Sequence, residues 1–265
     1  MVSIVEPSRR GVLDFGRVLG SAAELIRTHG PILLLGSLLV VGVGQAVSAF
    51  AVDRLAAALH PRNPFFASLI RMGLIEGQAF LDAILQAFIA AWAMALMVAE
   101  ATGSASVRPA RVVADILARS WPIAACALLF QLGVLGATIL LIFPALMLAM
   151  AWAVSLQALV AEGLTPGKAL SRSLVLTRGH RWPILGMYTV ATIIFGAANL
   201  LLIALAGGGR ALTAAVKMPM ARYLVSPLFT SVEHVVIAAV AAGLYVELAI
   251  LKDGLLRSAT ADVFG

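Results

Sequence analysis

A single cysteine, Cys126, leaves no partner for a disulfide within the chain, and its place inside an apolar run reads as that of a small core residue. Charge is scarce too: 12% of the 265 residues are Asp, Glu, Lys or Arg, against roughly 25% in an ordinary soluble domain. There is no acidic or basic tail and no low-complexity tract. Short segments of alternating apolar and polar residues, the mark of a membrane β-barrel, are missing. So are a phosphate-binding loop and a dinucleotide fingerprint, since the glycine triplet 207–209 opens no helix at the needed spacing. Ser37, Ser48 and Ser155 have no activating His within their spans, and no two carboxylates share a depth, so no catalytic activity is expected. Glu233 and His234 lack Cys or further His at ligand spacing, so neither a metal nor another cofactor is expected.

What remains is apolar. Hydrophobic residues make up 62% of the chain and the mean hydropathy is +1.01, too little polar surface to cover a water-soluble globule. Several runs reach the ~20 residues that cross a hydrocarbon core of about 30 Å. The chain therefore reads as one all-α integral membrane domain over 1–265, with six transmembrane helices. The expected spans are about 31–51, 76–99, 122–141, 144–161, 183–206 and 231–251.

Between the spans the sequence changes character. Residues 14–28 put Phe15, Val18, Leu19, Ala22 and Ile26 on one helical face and Asp14, Arg17, Ser21, Glu24 and Thr28 on the other. That pattern predicts an amphipathic helix lying in the interface, ended by Gly30-Pro31. The pattern recurs at 107–120, with Arg108, Arg111, Asp115 and Arg119 opposite Val113, Ile116 and Leu117, and again at 165–182, with Lys168, Arg172, Arg178 and Arg181. The second span is expected to belong to a helix starting near Arg71 and protruding from the bilayer. No charge occurs between Ser120 and Ala161, long enough for two spans, with a turn expected at Ile142-Phe143-Pro144 on the outer face. The connector to Thr230 is expected to hold a short interfacial helix.

The net charge of +6 is distributed as an orientation signal, not as a nucleic-acid surface. Thirteen Lys and Arg fall on the face that carries both termini and six on the other, which predicts cytoplasmic termini in a bacterial inner membrane. The N-terminal MVSIVEPSRRGVLDFG has no apolar core or small-residue cleavage site, so no cleavable signal is expected.

Three entry points align by eye: IRTHGPILLL at 26–35, LARSWPIAAC at 117–126 and RGHRWPILGM at 178–187. Each joins basic residues to Pro-Ile and a span. The expected organisation is a threefold repeat of in-plane helix plus helical hairpin, about 12–100, 107–161 and 165–252, packed as one bundle with a cytoplasmic collar. Trp-Pro at an interface also arises without repetition, since Trp favours the headgroup level.

Residues around the third entry carry a family resemblance. Ile142-Phe143-Pro144, Glu162-Gly163, Ala169-Leu170-Ser171-Arg172-Ser173, Leu176-Thr177-Arg178-Gly179 and Trp182 resemble the bacterial membrane-domain family found fused to glycerophosphoryl diester phosphodiesterases, and its stand-alone relatives. Leu244-Tyr245-Val246-Glu247-Leu248 resembles that family's closing segment, and Gly16-Arg17-Val18-Leu19 with Leu25-Ile26-Arg27 its entry helix. The resemblance implies a six-span membrane protein. It implies no phosphodiesterase activity, because the family's catalytic barrel is a separate domain.

Two groups of residues are candidates for function. Arg108, Arg111, Arg119, Lys168, Arg172, Arg178 and Arg181 form a basic collar that attracts anionic lipid headgroups at about 1 kcal/mol per residue, or binds a partner protein; alternatively they only set topology. Gln78, Asp82 and Gln86 fall at i, i+4 and i+8 on the second span and, with Glu247, mark a candidate polar path. The alternative places Asp82 near the outer headgroups and pairs Glu247 with Lys252, Arg172 or Arg178. Gln45, Gln131, Gln157 and Asn199 read as interhelical amides. The expected role is a lipid-associated or partner-binding membrane module, with a second copy of the chain among possible partners. The alternative is a small-molecule or lipid translocator with a path between the repeats.

Overall fold

A computed structural model describes residues 13–59, 64–102, 109–207 and 225–253. Among them every element is helical, and six stretches are long and apolar enough to cross a membrane. In chain order the helices are α1 Phe15–Ser37, a π-helical turn Leu38–Gly42, α2 Val43–Leu59, α3 Pro64–Ala101, α4 Pro109–Ala118, α5 Ser120–Leu140, α6 Ile142–Ala151, α7 Ser155–Glu162, α8 Pro166–Leu176, α9 Arg181–Gly207 and α10 Ser226–Asp253. Arg108, the interfacial helix expected before Thr230 and both chain ends lie outside the described residues.

Gly30-Pro31 does not end the first helix. Pro31 lies inside α1, which runs on through the π turn into α2 as one apolar stretch, Phe15–Leu55. Proline removes one backbone bond, but Leu25 and Leu33 on either side are buried against Ile89, Ala93 and Leu96 of α3 and Val235 and Ala238 of α10, and this packing holds the helix together. The 41 residues of that stretch measure about 60 Å, twice a hydrocarbon core. The predicted in-plane helix 14–28 is thus the packed N-terminal part of a long helix. Its buried stripe is Val18, Ala22 and Leu25, while Phe15 and Leu19 stay exposed.

α10 is the central element, with 67% of its apolar window buried against 6% for α9. α1 lies antiparallel along it. Arg17 meets Glu247 at one end, and Ser37 Oγ donates to the Ser231 carbonyl at 3.0 Å at the other. The two helices approach closely at Gly243, where a Cβ would sit 2.7 Å from the Val18 carbonyl oxygen. α3 returns antiparallel to α1–α2. His29 faces Glu100, Gly36 faces Trp92 and Gly44 faces Leu85. α3 begins at Pro64, earlier than the expected Arg71, because proline is well suited to a helix's first turn.

The segment 120–162 departs most from expectation. α5 and α6 are joined by one extended residue, Leu141, just before the anticipated turn. The ring centroids of Phe143 and Trp182 lie 6.1 Å apart. The α5–α6 turn and the start of α9 therefore lie close together, whereas the expected topology puts them on opposite faces. The expected span 144–161 is also broken at Trp152–Val154 into α6 and α7. α8 seals that break. Ser173 Oγ donates to the Ala151 carbonyl at 2.9 Å and accepts from the Val154 N–H at 3.3 Å, and Thr177 Oγ1 lies 3.1 Å from the Ala151 oxygen. Backbone groups freed in an apolar setting need such partners. α7 ends at Gly163 with φ 63°, and α8 is followed by Gly179 with φ 89°, both left-handed turns that favour glycine.

Candidate functional site

The candidate polar path is not one site. Gln78 is half-buried on α3 and meets no other candidate. Asp82 is half-buried on α3, its Oδ1 buried without a hydrogen-bond partner. Glu247, 3% exposed, accepts from Arg17 Nη2 at 2.6 Å. Its partner is thus the N-terminal Arg17, not Lys252, Arg172 or Arg178. The antiparallel α1–α10 pairing brings it there, and sequence distance hid it.

Gln86 faces a cavity. This half-open space of about 320 Å³ is lined by α3, α5, the α6–α7 break, Tyr188 of α9 and the middle of α10. Its polar lining comes from Gln86, Gln131, Gln157, Ser155, Trp152 and Tyr188. Gln157 is 3% exposed and its Oε1 is buried with no hydrogen-bond partner, as is Trp152 Nε1. Cys126 also lines it. Gln131 and Gln157 read as bundle amides in the sequence. Trp152 gave no signal there, because nothing in an unbroken apolar run announces the break that exposes it.

The basic collar divides into two kinds of residue. Arg172 is held internally, its Nε donating to Glu162 Oε1 at 2.9 Å, and Glu162 also accepts from Tyr245 Oη at 2.9 Å. That cluster ties α7, α8 and α10 together. Arg181 is half-buried, with its Nε lacking a hydrogen-bond partner. Arg111, Arg119, Lys168 and Arg178 are exposed and have no acidic partner among the described residues. Beside them Trp121 and Trp182 are 80% and 63% exposed at the entries of α5 and α9. The apolar face of α8 points inward, with Ala169, Leu170, Ser173 and Leu176 buried against the protein. Its amphipathic pattern is therefore explained by packing.

Among the described residues no three His, Cys, Asp or Glu are grouped to hold a metal ion. No family model, curated protein or solved structure matches the chain.

Proposed function

We propose that the protein is a non-enzymatic module of the bacterial inner membrane that gathers anionic lipid headgroups at its cytoplasmic face. The observation that carries this reading is the division of the collar. Arg172 is used inside the fold, while Arg111, Arg119, Lys168 and Arg178 are left free beside two exposed tryptophans, the residue type that settles at the headgroup level. In this reading both termini are cytoplasmic, α4 and α8 lie at the cytoplasmic headgroups, and the α5–α6 hairpin enters the membrane and turns back. The three entry elements descend from one repeat whose first copy has fused to its span.

The test is the selectivity of the purified protein for spin-labelled phosphatidylglycerol over phosphatidylcholine in mixed bilayers. Each neutralised headgroup contact at about 1 kcal/mol corresponds to roughly a fivefold loss. Lys168→Gln with Arg178→Gln should therefore remove most of the selectivity. Equal association of the two lipids with the unaltered protein would sink the proposal.

A further inference from the structure

The cavity at the α6–α7 break stands apart from the basic collar. On α3 it spans Ala83 to Ala90, the middle of the apolar run 77–99, and on α10 it spans Ile237 to Ala241, the middle of that helix. Two flanking helices thus place it near the centre of the hydrocarbon. Its volume falls within the range of small-molecule pockets, about 300–1,000 Å³. The space exists because its walls are short: Ala87, Ala90, Ala153 and Ala238 stand where longer side chains would close it.

Its chemistry is neutral. No Asp, Glu, Lys, Arg or His is among the lining residues described, so a charged ligand would enter an apolar site without a counter-charge. Yet the walls carry an unmatched acceptor, Gln157 Oε1, and an unmatched donor, Trp152 Nε1, both buried. An orphaned buried polar group costs about 1–3 kcal/mol, which a bound partner recovers. Elsewhere at this break α8 satisfies every freed backbone group named above, so these two side chains stand out as the ones left without a protein partner. Interrupted helices near a bilayer's midplane commonly build binding sites in this way.

We infer that this cavity binds an uncharged, membrane-soluble amphiphile bearing a hydroxyl group, since a hydroxyl both donates and accepts while its hydrocarbon body fills the alanine-lined space. The inference is independent of the lipid headgroup reading, because no collar residue lines the cavity.

The experiment is photolabelling of the full chain in phosphatidylcholine nanodiscs with 3-azioctanol, an eight-carbon alcohol carrying a diazirine, followed by peptide mapping. Labelling is expected in the segments 126–131 and 149–157. Excess 1-octanol should reduce it by about tenfold, whereas n-octane and octylammonium should leave it in place. Gln157→Leu and the cavity-filling Ala153→Leu should both lower it, with detergent elution and circular dichroism showing that each variant folds. The competition series uses unaltered protein, so it decides the matter even if a variant does not fold. Equal competition by n-octane, labelling no stronger than on the lipid-facing surface of α9, or no label in these segments because the space holds water alone would each overturn the inference.

Discussion

Phe143 and Trp182 meet with their ring centroids 6.1 Å apart, although charge and hydropathy assign them to opposite faces of the bilayer. The aromatic pair fixes the end of the α5–α6 hairpin to the level at which α9 begins. In the proposed orientation Arg178 and Arg181, just before Trp182, put that level at the cytoplasmic face. The expected result is therefore that Phe143→Cys, in a Cys126→Ala background, is not modified by a membrane-impermeant thiol reagent applied from the periplasm. Asn63→Cys, between α2 and α3, should be modified from that side. Periplasmic labelling at position 143 would show that the hairpin crosses the membrane.

The proposed orientation puts both termini in the cytoplasm. Whether residues 120–162 cross twice or turn back, the number of crossings is even. A reporter fused at Phe264 should accordingly be active only as a cytoplasmic reporter, and an activity restricted to the periplasm would overturn the orientation.

Arg17 and Glu247 form a second long-range pair, 230 positions apart in sequence and 2.6 Å apart in space. Removing one partner of a buried ion pair strands the other, at about 3–5 kcal/mol. Arg17 keeps a side-chain exposure of 25%, which places the expected effect at the lower end, about 3 kcal/mol. Arg17→Met should lower the melting temperature in detergent markedly, and adding Glu247→Leu should recover much of the loss. Additive losses in the double variant would mean that the two side chains are not coupled.

Much of this architecture was legible in the sequence. The apolar runs and the prolines at the start of α8 and at the α9 entry act locally, and local chemistry can be read in order along a chain. Pairing could not be read this way. Pro31 looked like a boundary because its cost is local, while the burial of Leu25 and Leu33 that overrides it depends on α3 and α10. The break at Trp152–Val154 was invisible because its stabilising groups, Ser173 and Thr177, lie some twenty residues further on. The collar read as one basic band because its charges are alike in sequence. Only the position of Glu162 separates Arg172 from its neighbours.

The break supplies a prediction of its own. Ser173 serves both the Ala151 carbonyl and the Val154 N–H, whereas Thr177 reaches only the first of these. Each buried backbone group left unpaired costs about 1–3 kcal/mol. Ser173→Ala should therefore destabilise more than Thr177→Val in thermal denaturation. Ser171→Ala, which removes an exposed bond to the Gly167 carbonyl within α8, should be nearly silent. If Ser171→Ala and Ser173→Ala behaved alike, the hydroxyls would not be sealing the break.

Gly243 tests the packing of α1 on α10 most directly, because its constraint is backbone against backbone. A methyl group there would stand 2.7 Å from the Val18 carbonyl oxygen and 3.5 Å from Ser21 Cβ, and a carbonyl cannot swing aside as a long side chain can. The two helices would have to separate, which strains the Arg17–Glu247 contact at one end and the Ser37–Ser231 contact at the other. Overpacking of this kind costs about 1–3 kcal/mol. Gly243→Ala should reach the upper part of that range despite the better helix propensity of alanine. Gly136→Ala on α5 and Gly196→Ala on α9 meet nothing within 4 Å, so there the propensity gain acts alone and stability should hold or rise. Melting temperatures of the three variants in one detergent would separate the cases. Equal behaviour at Gly243 and Gly136 would show that α1 does not lie against α10 at this distance.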